Sequence, residues 1–264
     1  MKKITLTTII KKTYICIHNL NERDMELLKF KSGNSKLKGI FLFDLPAGHT
    51  CPFANNCLSK ADRETGKLTD GEEIIFRCFS ASQENYLPNL RNKRWYNYDL
   101  IKKVKTKNEL ITLLELSLPT RLGIIRIHES GDFFNQVYFD AWLQVARNNP
   151  QIIFYAYTKS IPFWVRRLTE LPSNFRLTAS VGGKKDKLID DYRLKYAKVV
   201  ANEEEAKQLG LEIDHTDFLA YGQDKSFALV VHGRQPKGSQ MGKESYKNMK
   251  KGLGYSRKKK DKTK

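Results

Sequence analysis

Three cysteines carry the first chemistry this sequence offers. Cys51 and Cys57 sit six residues apart in CPFANNC, and Cys78 follows 21 residues later in RCFSAS. Thiolates gathered in one loop can hold zinc, with a fourth donor such as His49, or an iron–sulfur cluster with one iron left open to a substrate. The C-x2-C pairs of a zinc finger are missing, so both metals stay open. The remaining cysteine, Cys16, lies in the apolar segment YICIHNL and reads as a buried thiol.

A second group lies in RIHESGDFF, which carries Arg126, His128, Glu129 and Asp132. On a strand Arg126 and His128 share one face, and Gly131 lets the chain turn so that Asp132 points back toward them. A cation, an imidazole and carboxylates at one strand end suit acid–base catalysis, metal ligation or anion clamping. In FYAYTKS, Lys159 is placed to bind a phosphate or carboxylate, and Tyr155 and Tyr157 to stack on a base. A fourth group closes the chain: Lys247, Lys250, Lys251, then Arg257, Lys258, Lys259 and Lys260, with Tyr246 and Tyr255 interleaved. Basic runs with aromatics suit nucleic-acid backbones through counterion release and stacking.

The elements that must position these residues follow from patterning. Residues 38–44 form a β-prone apolar run ending at a Pro-Ala-Gly turn signal. Residues 47–97 turn irregular and polar and hold three of the four cysteines. Leu110, Leu113, Leu114 and Leu118 recur at helical spacing in 105–118, and strand patterns follow at 123–128, 152–157, 175–180, 197–200 and 227–231. Between them lie a helix capped by Asn135 and running to about residue 147, one over 161–171 with Pro162 in its first turn, and one over 203–209 capped by Asn202. This alternation predicts an α/β protein with a parallel sheet, either open and doubly wound or closed by (β/α) repeats into a full or partial barrel. The barrel is favoured because polar residues fall at several strand ends: His128, Glu129 and Asp132, then Thr158 and Lys159, then Ser180, Asn202 and His232. Parallel α/β proteins build their sites along that edge. The expected organisation is one domain over 1–233, with the cysteine-bearing insertion at 47–97 and a flexible basic tail at 234–264.

Composition narrows the partners. Across 264 residues 47 Lys and Arg face 29 Asp and Glu, a formal net charge of +18, which excludes an acidic solvating protein and points to polyanions. The tail concentrates this: 12 basic and 2 acidic residues lie in 234–264. No apolar run approaches the roughly 20 residues that cross a bilayer, and residues 1–10 lack the features of a leader. With so few cysteines for a disulfide scaffold, the expectation is a cytosolic protein with no membrane partner, whose clustered thiols serve a metal or catalysis.

The blocks LPAGHTCPFANNC, RCFSAS, RIHESGDFFNQVYFDAWLQVARNNPQIIFYAYTKS and RLTASVGG occur in an order that resembles the phage family known by its founding member as the gene product 88 domain, over roughly residues 38–233. That resemblance implies a phage or prophage origin, hence the host cytoplasm. The arrangement is also similar to radical S-adenosylmethionine enzymes, which bind a 4Fe–4S cluster through three cysteines on a partial (β/α)6 barrel. This likeness implies Cys51, Cys57 and Cys78 as cluster ligands, with S-adenosylmethionine as a second cofactor. Those enzymes space their cysteines C-x3-C-x2-C, whereas the gaps here are 6 and 21. The leading expectation is therefore a metal-binding enzyme acting on a nucleic acid or nucleotide-like anion, with Arg126, His128, Glu129, Asp132 and Lys159 as its catalytic residues. The alternative is a non-enzymatic nucleic-acid-binding protein with a structural zinc site.

Overall fold

The computed structural model describes residues 26–34, 36–120 and 123–253. Cys16, Tyr255, Arg257, Lys258, Lys259 and Lys260 lie outside the described residues. The strands are β1 (Lys31–Ser32), β2 (Ile40–Phe43), β3 (Ser59–Ala61), β4 (Leu68–Asp70), β5 (Ile124–Ile127), β6 (Ile153–Thr158), β7 (Phe175–Ser180), β8 (Tyr196–Val200) and β9 (Phe227–Val230). β3 and β4 form a separate antiparallel hairpin. The other seven form one sheet in the order β1-β2-β5-β6-β7-β8-β9, antiparallel at β1 and parallel at every later pairing.

The parallel strands thus follow the sheet in chain order, without the reversal that marks a doubly wound fold. Among the described residues β1 and β9 remain separate edges, so the sheet is open and the full barrel allowed by the sequence is not formed. Side chains alternate across it as pleating requires. Ile125, Ile127, Phe154, Ala156, Phe175 and Leu177 enter one large core, and Ile124, Tyr155 and Tyr157 line the other face.

The helices are α1 (Phe79–Tyr86), α2 (Pro88–Lys103), α3 (Lys107–Ser117), α4 (Gln136–Asn148), α5 (Ile161–Val165), α6 (Lys187–Asp191), α7 (Glu203–Gln208), α8 (Phe218–Gly222) and α9 (Gln240–Lys251). Side-chain caps fix the starts that the sequence marks. Thr106 and Glu109 form a reciprocal capping box on α3, Asn135 accepts from the Tyr138 amide at 2.8 Å, and Asn202 accepts from the Glu205 amide at 3.0 Å. α4 delivers Phe139, Trp142 and Leu143 into the large core, and α8 covers the opposite face with Leu219 and Ala220.

Three expectations need correction. The helix read at 161–171 is only α5 plus a 3-10 turn at Leu168–Glu170. The insertion is irregular only to Cys78 apart from its hairpin, because α1 and α2 occupy 79–103. Beside Ala81, Leu100 and Ile101 their buried positions are polar, Ser80, Ser82 and Glu84, then Arg91, Arg94 and Asn97, so only the end of α2 shows an apolar pattern. The described part of the tail is not a flexible extension: after β9 the chain forms α9, whose Ser245 hydroxyl donates to Gly233 O at 2.9 Å and whose Asn248 amide donates to Ala201 O at 2.8 Å.

What fills the space under α1 and α2 is an ion pair. Arg94 and Glu84, both side chains fully buried, meet at 2.9 Å. The Arg94 guanidinium also donates to Ser80 O and Gln83 Oε1. Removing one partner of such a pair strands the other charge away from water. Arg94→Met is expected to lower unfolding free energy by about 3–5 kcal/mol, read by urea denaturation, and adding Glu84→Leu is expected to recover part of that loss. A single variant as stable as the wild type would show that the pair does not hold the insertion.

Candidate functional site

The cysteine loop is laid across the carboxyl ends of the strands by backbone pairing. It leaves β2 at Leu45, whose amide donates to Ser130 O at 2.9 Å, and reaches the loop after β7, where the Asn56 amide donates to Gly182 O at 3.0 Å and the Lys184 amide to Phe53 O at 2.9 Å. A bridge between Ala54 and Gly183 completes this contact. Gly131 sits under the loop with φ +85°, and a Cβ there would lie 2.5 Å from Thr50 Oγ1 and 2.8 Å from Leu45 Cβ. Only glycine permits that close approach. Cys78 is then placed by the start of α1, its amide facing Ser59 Oγ at 3.4 Å.

Under this loop lies a cavity of about 160 Å³ bordered by Cys51, Cys57 and Cys78 together with Arg126, Asp132 and Lys159. Three thiols distant along the chain therefore face one space. Burial pushes the Cys51 thiol well above its ordinary range, helped by Asp132, Cys78 and Cys57. Burial likewise lifts Cys78 to about 11, although the Ala81 and Ser80 amides at the start of α1 favour its thiolate. No group of three or more His, Cys, Asp and Glu side chains among the described residues is gathered so as to hold a metal ion. His49 is not beside the cavity; its Nε2 pairs with Ala61 O at 3.0 Å and its ring lies 4.9 Å from Trp95.

Arg126, His128, Glu129, Asp132 and Lys159 all border that cavity, but their side chains take different partners from those the strand pattern suggests. Arg126 and His128 do not share a face. His128 has φ +65°, which breaks the strand alternation and sends its ring among Phe43, Phe133 and Tyr138, where Nε2 meets the Tyr138 hydroxyl at 2.9 Å. Burial lowers its pKa to about 3, which favours the neutral imidazole. Asp132 turns toward the next strand: its Oδ1 accepts from Thr158 Oγ1 at 2.6 Å and from the Phe133 amide at 2.7 Å, and its Oδ2 from the Lys159 amide at 2.8 Å. Lys159 continues the chain to β7, donating to Ser180 Oγ at 2.6 Å, Ser180 O at 3.0 Å and Val181 O at 3.0 Å. Its ammonium is thus engaged rather than waiting for a phosphate. Glu129 is ion-paired with Lys31, which also reaches Asp44 at 2.9 Å.

Sequence reasoning missed Asp217. This fully buried residue, in the left-handed region at φ +62°, accepts from Arg126 Nη1 at 2.6 Å, Tyr155 Oη at 2.8 Å and Tyr157 Oη at 3.1 Å. Nothing in HTDF marks it, because its role depends on a 91-residue separation from Arg126. In the tail, Lys250 lies over the Tyr246 ring at 4.6 Å, and Lys251 pairs with Glu203 at 3.3 Å.

The sequence model of the family described as Gene product 88 matches residues 20–253, a span that contains the cavity and every strand of the described residues. The chain belongs to that family. It is also similar to the Gene 88 protein of Mycobacterium phage L5, 25% identical over 139 residues, 49% of this chain and 52% of that protein. The chain thus spans about half the length of that curated relative. No solved structure matches it. For this gene product 88 member, the match covers both the cysteine loop and the strand-end hydrogen bonds beneath it.

Asp132 gives the site a pH signature. Burial lifts its carboxyl from 3.8 to about 6, against the hydrogen bonds from Thr158, Lys159 and Phe133 that favour the anion. The folded chain therefore binds more protons than the unfolded chain between those values, and stability falls as pH rises across that window, by at most roughly 1.4 kcal/mol per pH unit. Asp132→Asn is expected to flatten that fall, measured by urea unfolding at a series of pH values. Parallel pH profiles for the two proteins would place the Asp132 titration outside the window.

Proposed function

We propose that this chain is a phage-encoded enzyme of the host cytoplasm that holds an iron–sulfur cluster on Cys51, Cys57 and Cys78 and acts on a nucleic acid or nucleotide-like anion. The observation that carries this reading is the meeting of three thiols, spread over 27 residues, in one cavity at the carboxyl edge of parallel strands. Three thiolates on one zinc stand about 2.3 Å from the ion and hence roughly 3.8 Å from each other. These side chains border a common space, and a cluster takes its thiolates at separate corners. Six parallel strands in chain order support a partial barrel as the frame.

Bound there, an iron–sulfur cluster supplies one-electron chemistry, with S-adenosylmethionine the candidate second cofactor. The chain's own residues would do the rest. The Asp132 carboxyl, with a pKa of about 6, can take up or release a proton near neutrality. Lys159 and Thr158 hold that carboxyl in place from the end of β6, and Arg126, steadied by Asp217, offers a fixed cationic wall. Val199, Leu229 and Val231 add apolar side chains to the lining. No helix of the described residues is long and apolar enough to cross a membrane.

One observation favours a nucleic-acid partner for the tail: α9 exposes Tyr246 and Met249 beside Lys250. In the non-enzymatic reading this face supplies the affinity and zinc staples the loop. Anaerobic purification followed by metal analysis and visible absorption separates the two. The enzyme reading expects iron in the wild type and its loss, with the colour, in Cys51→Ala, Cys57→Ala and Cys78→Ala. Zinc alone would favour the binding module, and a metal-free protein whose stability is unchanged by Cys51→Ala would contradict both.

A further inference from the structure

A second cavity, of about 240 Å³, adjoins the first and shares Phe79, Arg126, Glu129, Tyr157, Leu229 and His232 with it. Its outer wall is built by the segment after β9. The Gln235 amide group clasps the Arg77 backbone, accepting from its N–H at 2.7 Å and donating to its carbonyl at 3.0 Å. Ser82 Oγ donates to Arg234 O at 2.8 Å. Gly233, at φ +81°, lies so close to α1 that a Cβ would stand 2.9 Å from Phe79 Cβ. These contacts hold residues 233–235 against the helix that begins at Cys78.

The result of this clamp is a fixed arginine at the mouth. The Arg234 guanidinium lies 4.1 Å from the Tyr86 ring centroid and, among the described residues, forms no ion pair. Stacking on an aromatic face leaves the in-plane N–H donors of a guanidinium free for a bidentate anion. The lining joins Phe79, Tyr157 and Leu229 to two carboxylates already paired with cations, Asp217 with Arg126 and Glu129 with Lys31, and to the amides of Gln83 and Asn34. Gln83 and Asn34 use their oxygens as acceptors, from Arg94 Nη2 and from the Lys36 amide, while among the described residues their amide nitrogens donate to no protein group. An anion contact, a π-surface and amide donors are the three elements that recognise a phosphate, a base face and a base edge.

We infer that this second cavity is a substrate subsite for a nucleoside monophosphate unit, with Arg234 on its phosphate and the Phe79 and Tyr157 wall against its base. The inference rests on the proposed enzyme reading for the sharing of walls with the cysteine cavity, and it names the substrate class that reading leaves broad.

The test is calorimetric titration of the full chain with adenosine 5′-monophosphate, adenosine and inorganic phosphate, with iron measured on the same preparation. The monophosphate is expected to bind at least about tenfold more tightly than either fragment, and Arg234→Ala to bring it down to the affinity of adenosine. Arg234→Lys is expected to recover only part of that loss, because the planar fork is gone. Arg234 is exposed, and circular dichroism of each variant checks that the fold is kept. Wild-type affinity in Arg234→Ala, or no binding of the monophosphate by folded wild type, overturns the subsite. Binding by iron-free protein would support the subsite while counting against the cluster, so the two readings fail separately.

Discussion

One carboxylate oxygen, Glu84 Oε1, holds the candidate site together. It accepts from the Ala47 amide at 2.9 Å, from Arg94 Nη1 at 2.9 Å and from Ser130 Oγ at 3.3 Å. These three donors belong to the start of the cysteine loop, to α2 and to the loop after β5. Burial raises the Glu84 pKa, and the Arg94 charge and the amide and hydroxyl bonds work against that rise. A charge so enclosed is tolerated only when its partners are present, and this dependence makes the arrangement specific. The loops that would otherwise splay over the strand ends are therefore drawn to one point.

The same dryness shapes the chemistry of the cavity. Cys51 resists ionisation because it is buried and because Asp132, Cys78 and Cys57 would add like charge. The proposed metal centre would add attractions that oppose those repulsions and so favour the thiolate forms. Asp132 occupies the junction between the thiols and the strand ends, joined to β6 through Thr158 and Lys159 and onward to β7 through Ser180. Neighbouring strands are thus coupled at the edge where their polar residues emerge.

Much of the frame was legible in the sequence. Five parallel strands after β2, the Asn135 and Asn202 caps and the α3 stripe follow from alternation, capping chemistry and helical spacing, which are local properties. The three cysteines and the strand-end residues were found because their types are chemically distinctive. They border one cavity, but their individual contacts were not legible. His128 was assigned to the face of Arg126 because a regular strand demands it, and a single left-handed residue undid that. α1 and α2 were unreadable because they bury arginine, glutamate and asparagine where a core pattern needs apolar side chains. Asp217 and the Arg234–Tyr86 stack depend on contacts between segments far apart in the chain, which no local pattern records.

The central claim is that Cys51, Cys57 and Cys78 share one metal centre above the strand ends. Anomalous diffraction at the iron edge, from crystals grown and mounted without oxygen, tests it most directly. The account predicts a compact peak inside the cavity, in contact with all three sulfurs and larger than a single ion would give. A well-ordered cavity in which the three thiols stand free, or in which two of them are joined as a disulfide, with no iron signal, would contradict it.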